Sequence, residues 1–178
     1  LLLNYITFPV TGTWTALRKV KRKPDVIFVS LLSPIFQAIP AIVLSRWYRA
    51  PLVYWVQDIW PESAIYTLRL HNWFAVKGLT AISAWISRRA DLVLVQSEAF
   101  PPMITRFGVP PARIRVLPNT APAMYRPMAP EDAPDAMALM PKADFRVMFA
   151  GNIGESQDFD TLLAAAHLLR EFEGLHWV

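Results

Sequence analysis

The sequence predicts an α/β fold built on parallel sheets, and three observations predict it. Five short runs, "VIFVS", "LVYWV", "DLVLVQ", "RIRVL" and "RVMFA", are rich in apolar residues and are bounded by polar or turn residues. Helical spacing follows several of them, and apolar strands alternating with helices pair in parallel under cover on both faces, a Rossmann-like architecture. Between the fourth and fifth runs a proline-rich break divides the chain into two such units.

The 178 residues are 54% hydrophobic, ample for a core, and they include no Cys. That composition excludes disulfides, thiolate metal sites and a Cys nucleophile, and it fits a reducing compartment, so a cytoplasmic location is expected. The chain starts without Met and stops inside another apolar run. It therefore reads as a fragment lacking both ends, with each domain incomplete.

Taken in order, "RKVKRK" at residues 18–23 holds part of the net charge of +4. It reads as the solvated end of a helix running into Pro24, or as a patch for anionic lipid head groups. No nucleic-acid partner is expected, because the cluster has no interleaved aromatics and no binding motif follows. Residues 26–44 are uncharged and approach the roughly 20 residues of a membrane span. Pro34 and Pro40 split that run into a strand and a buried helix instead. After "LVYWV", the segment "WFAVKGLTAISAWISRR" puts Trp73, Val76, Leu79 and Ile82 or Ile86 at helical spacing. "DLVLVQ" leads into a helix through about Phe107, and "RIRVL" closes the unit. Pro118, Pro122, Pro127, Pro130, Pro134 and Pro141 then mark an extended connector. Beyond "RVMFA" a helix carries Phe159, Leu162, Ala166 and Leu169 on one face. The predicted organisation is a first domain at residues 1–120, a linker at 121–143 and the start of a second domain at 144–178.

Open parallel sheets bind ligands beyond the carboxyl ends of their strands, where loops enter helices. Three such loops are "QDIWPES", "SEAFPP" and "GNIGESQD". In the last, Gly151 and Gly154 flank Asn152 and Ile153 and allow close backbone approach to a phosphate near a helix start. A tight turn needing positive φ is the competing reading. The loop is neither a P-loop nor the three-glycine dinucleotide fingerprint. In the first loop, the Asp58 carboxylate suits orienting an acceptor hydroxyl or taking its proton. Glu62 suits the same task or the first turn of a helix after Pro61. Trp55, Trp60, Trp73 and Trp85 read as core before sugar platforms, and Trp60, inside the strand-end loop, is the one candidate for stacking on an acceptor sugar. Ser97 reads as a helix N-cap, and Asn119 as closing the first domain through side-chain-to-backbone bonds. "DFD" opens a helix, so Asp158 as N-cap and Asp160 in the first turn are favoured over a metal pair. His71, His167 and His176 lie on separate elements without metal spacing.

The order "ADLVLVQSEAFPPMITRFGVPPARIRVLPNTAPAMYRP" then "FRVMFAGNIGESQDFDTLLAAAHLL" resembles the middle of a retaining glycosyltransferase of family four, which has the GT-B fold. The resemblance runs over residues 24–178 and lies in a sequence of features: Asp-strand-Ser, Gly-Val-Pro, strand-Pro-Asn, Arg-Pro, strand-Gly. "QDIWPES" with "GNIGESQ" is similar to the subgroup that transfers amino-sugars or related hexoses in surface polysaccharide assembly, O-antigen and capsule included. The resemblance implies two Rossmann-like domains, a nucleotide-diphospho-sugar donor held mainly by the second, and a lipid-linked or polysaccharide acceptor held mainly by the first. No metal and no further cofactor is implied. The loop of Gly151, Asn152, Ile153 and Gly154 matches the family's loop near the donor diphosphate. Gln57 and Asp58 match a strand-end position where many relatives place a His facing the donor sugar. Two departures stand out: Asn152 and Gln157 replace the family's usual Arg and Lys, and Asp158 replaces a usual Gly. The expected activity is sugar transfer with retention, at the inner face of a membrane when the basic patch is engaged. A sugar-nucleotide 2-epimerase of the same fold, or a non-catalytic membrane-surface partner in polysaccharide assembly, are the alternatives.

Overall fold

A computed structural model describes residues 2–68, 70–132, 140, 144–154 and 157–178. The chain forms two compact units, residues 1–120 and 121–178. Of the expected connector, residues 133–139 and 141–143 lie outside the described residues.

The first unit runs α1 (Leu2–Lys19), β1 (Ile27–Leu31), α2 (Ala38–Tyr48), β2 (Leu52–Val56), α3 (Glu62–Leu68), α4 (Trp73–Ser87), β3 (Leu92–Val95), α5 (Pro101–Thr105) and β4 (Ile114–Val116). Its four strands form one parallel sheet in the order β1-β2-β3-β4. Residues 26–44 form β1, a short 3-10 turn at Ile35–Gln37 and the start of α2. Pro40 falls in the first turn of α2, where a missing N–H costs least. Among the described residues no helix is long and apolar enough to cross a membrane.

Register decides which side chains are buried. Val29, Tyr54, Val93 and Ile114 are aligned across the four strands, as are Leu31, Val56, Val95 and Val116. A period of two puts both rows on one face, where they join one continuous buried cluster with α2, α4 and α5. Full burial of side chains this size contributes about 1.5–3 kcal/mol each. Tyr54 is wholly buried, which pushes its hydroxyl far above the ordinary pKa while Arg46 pulls weakly the other way. The opposite face carries Phe28, 53% exposed, and Trp55, whose rings meet at 6.2 Å. Val53, Trp55, Leu92 and Leu94 on that face are half-buried, so it is less deeply covered than the first.

The α4 helix spans the segment its periodicity predicted, and of that spacing Leu79 and Ile86 pack on the core while Val76 is half-buried. Ser83, Ile86 and Ser87 face the core, while Trp73 and Ile82 are exposed. Trp73 and Trp85, expected in the core, are exposed, and Ser83 and Ser87 are buried beside Ile86.

In the second unit, β5 (Phe145–Val147), α6 (Phe159–Leu168) and β6 (Leu175–Trp177) make a βαβ turn with the two strands parallel. Phe159, Leu162, Ala165 and Ala166 are half-buried, and Leu169 lies just past the helix and is exposed. No described residue of this unit is fully buried.

Candidate functional site

The carboxyl ends of β1, β2, β3 and β4 lie side by side in the first unit, and the residues just beyond them are tied together. The Gln57 N–H donates to the Leu31 carbonyl at 3.0 Å, joining the end of β2 to β1. Gln96 Nε2 donates to the Gln57 carbonyl at 2.7 Å. Asn119 Nδ2 donates in turn to Gln96 Oε1 at 2.7 Å, and Leu117 N–H to the Val95 carbonyl at 2.7 Å. Trp55 Nε1 adds a bond to the Leu117 carbonyl at 3.0 Å. Val56 pairs with Val95, so Gln57 and Gln96 are neighbouring first residues past the sheet. The Val-Gln ending repeated in "LVYWVQ" and "DLVLVQ" is the signal that would have found Gln96. Asn119 does close this edge, through another side chain and not through backbone.

Within "QDIWPE", Asp58 is exposed one residue beyond that lacing. Trp60 is 3% exposed and meets the Phe36 ring edge-on at 5.9 Å, so it packs in the core and offers no face to a sugar. A cavity of about 10 Å³, the scale of one water, lies beside Asp58 and Trp60. Glu62 is the first residue of α3 and pairs through Oε1 with Arg106, a partner 44 positions away that local pattern could not reveal. Its Oε2, the Trp60 indole N–H and the Gln57 side-chain nitrogen are buried without a protein partner. Ser97 does not cap a helix: its carbonyl accepts from Phe100 N–H, and Phe100 occupies the N-cap position of α5.

Scaffold roles account for two residues of the sequence motif. Asp91 Oδ2 accepts from Leu52 N–H at 2.8 Å while the Asp91 N–H donates to the Leu52 carbonyl at 2.8 Å, fixing where β3 starts against β2. Gly108 has φ +82°, and a Cβ there would stand 3.3 Å from Arg88 Cδ. Only glycine fits that left-handed turn without strain.

In the second unit, Phe149 N–H donates to the Val178 carbonyl at 2.9 Å and prolongs the pairing of β5. Gly151, Asn152, Ile153 and Gly154 follow, all exposed. Neither glycine has positive φ, which removes the competing reason for glycine at these positions. A Cβ on Gly151 would stand 3.3 Å from Phe149 Cζ, and the Phe149 ring is itself held edge-on against Phe159, the first residue of α6, at 4.9 Å. A Cβ on Gly154 would be 3.1 Å from Gln157 Oε1. Asp158 sits at the N-cap position in a left-handed conformation, and its Oδ2 accepts from the Thr161 hydroxyl at 2.7 Å in place of a backbone N–H.

The description "Glycosyl transferase 4-like domain" matches residues 3–120. No curated protein matches the chain. Among solved structures, Anabaena Alr3699/HepE in complex with UDP-glucose is similar over 96% of this chain and 50% of that one, with TM-score 0.58 and 14% identity. The same protein with UDP and glucose matches over 99% of this chain and 52% of that one, with TM-score 0.59 and 14% identity. With UDP alone it gives TM-score 0.54 at 16% identity, covering 97% and 51%. The chain thus spans about half the length of the solved chains it matches. At such identity the likeness establishes the fold, α/β of the GT-B type with Rossmann-like parallel sheets. With the match covering residues 3–120, the chain belongs to the family of glycosyl transferase 4-like domains.

Proposed function

We propose that the protein transfers a sugar, hexose or amino-sugar, from a nucleotide-diphospho-sugar to a lipid-linked or polysaccharide acceptor, with retention of configuration. The observation that carries this reading is the pair of strand-end loops: one laced and bearing an exposed carboxylate, the other glycine-flanked and open. The solved relatives were crystallised with UDP and UDP-glucose, which supports a UDP-sugar as the donor class. The donor diphosphate lies against the loop of Gly151, Asn152, Ile153 and Gly154 and is met by backbone N–H groups and the Asn152 amide. Neutral donors suffice for positioning and for easing charge onto the departing diphosphate. Asp58 orients the acceptor hydroxyl, and Gln57, beside it at the end of β2, is the second catalytic candidate of that loop. Glu62 holds α3 through Arg106 and stays at the margin of the acceptor side. In this reading no metal or cofactor is needed beyond the donor, and peripheral contact with an anionic membrane through residues 18–23 brings the enzyme to a lipid-linked acceptor. The deciding experiment incubates the full-length protein with UDP-sugars, with and without polyprenyl-linked acceptor. Acceptor-dependent transfer giving a product of unchanged anomeric configuration by NMR supports the proposal. Acceptor-independent conversion of the nucleotide-sugar would mark an epimerase, and no turnover of any donor would mark a non-catalytic partner.

A further inference from the structure

The α4 helix is apolar on both sides. Its inward side packs Leu79, Ala84 and Ile86 against the core, with Ser83 and Ser87 buried among them. Its outward side carries Trp73, 61% exposed, Phe74, 77% exposed, and Trp85, 38% exposed, with Ile82 between them. Phe74 and Trp85 are eleven residues apart, about three turns, so the apolar surface extends roughly 16 Å along the helix. Keeping large aromatic side chains in water forfeits the gain their burial would bring, and a contiguous exposed patch of this kind marks an interaction surface.

Its chemistry selects the partner. Lys77 Nζ lies 4.9 Å from the centroid of the Trp73 ring, and Arg89 Cζ lies 4.8 Å from that of Trp85. Each tryptophan is thereby paired with a cation at the edge of the apolar strip. No acidic residue occurs from Asn72 to Ala90. A second copy of the chain would set these cations against their own kind. An anionic bilayer surface accepts all three features: aromatic rings at the head-group level, apolar side chains below them, and Lys or Arg at the phosphate plane.

We propose that the outward face of α4 docks on an anionic lipid bilayer, as a second membrane contact independent of residues 18–23 and of the transfer reaction. The apolar part of binding comes from Phe74, Trp73 and Trp85, and Lys77 and Arg89 make it selective for anionic lipid. The test is co-sedimentation of the full-length protein with phosphatidylcholine vesicles that contain or lack phosphatidylglycerol. The parent is expected to bind the anionic vesicles and to keep part of that binding at high salt, where exposed charges are screened. Trp73→Ala with Phe74→Ala should lower the partition about tenfold or more and remove the salt-resistant part, with circular dichroism unchanged. Lys77→Glu with Arg89→Glu should abolish the preference for phosphatidylglycerol. UDP binding by all these variants should stay at the parental level, so a failed transfer assay leaves this inference standing and the reverse holds too. Vesicle binding by the folded aromatic variant equal to that of the parent would overturn the proposal. Loss of self-association in that variant, with vesicle binding intact, would also overturn it and make the face a contact between copies.

Discussion

The loop after β2 and the loop after β5 hold equivalent positions, each just beyond the carboxyl end of a parallel strand, and they are restrained in opposite ways. Residues 57–62 are fixed by the Leu31 carbonyl, by Gln96 and through it Asn119, and by the Glu62–Arg106 pair. Residues 151–154 are exposed, and what limits them is the Phe149 ring under Gly151 and Gln157 beside Gly154. A laced loop holds its groups in one geometry without a ligand, which suits orienting an acceptor hydroxyl. An open glycine loop leaves backbone N–H groups free for a phosphate to order. The same difference marks the units, since every described buried residue belongs to the first.

That contrast yields graded tests. The largest effect is expected from Ile86→Ala, which opens a cavity in the packed core of the first unit and should cost about 2–5 kcal/mol in denaturant unfolding. Leu162→Ala, on the half-buried side of α6, should cost roughly half of that or less, because the site is already partly wet. Equal costs would erase the distinction between the units. Next comes Gln96→Ala, which removes both links between the strand ends and should cost about 1–2 kcal/mol. Amide exchange should quicken at residues 57–62 and near Asn119 while residues 151–154 stay unchanged. Gln96→Glu sharpens this, since a carboxylate still accepts from Asn119 yet cannot donate to the Gln57 carbonyl. The smallest is Glu62→Gln. The Arg106 side of its ion pair is 47% exposed, so thermal unfolding should reveal less than about 1 kcal/mol, shrinking as salt is added.

The strands were legible because each is a short, largely apolar run between turn residues, and the observed β1 to β4 fall on the quoted segments within a residue, while β5 ends three residues before "RVMFA" does. The last strand, Leu175–Trp177, reads in sequence only as an apolar tail, too short to show a period. Helix orientation was less legible. Spacing alone gives α4 several apolar stripes, and the sheet selects the one bearing Ser83 and Ser87, small enough for close approach. At the site, Asp58 and the glycine loop could be read from their place after strands. Arg106 could not, because its pairing with Glu62 depends on the fold bringing distant positions together. Trp60 lies in a loop by sequence, yet its ring packs in the core against Phe36, the reading its residue type favoured over a sugar platform. Asp91 and Gly108, which help identify the family, turn out to align strands and shape a turn. Family recognition here therefore rested partly on scaffold residues.

The most direct measurement is calorimetric titration of UDP into the full-length protein and into its Gly151→Val variant, with circular dichroism of both. A branched side chain at residue 151 would crowd the Phe149 ring and the space that a diphosphate needs. If the open loop holds the donor, Gly151→Val should weaken UDP binding about tenfold or more, near 1.4 kcal/mol. Asn152→Ala should weaken it less, and Asn152→Arg should preserve or tighten it, since a guanidinium matches phosphate oxygens bidentately. A folded Gly151→Val protein that binds UDP as tightly as the parent would contradict the assignment and reduce the loop to a connection between β5 and α6.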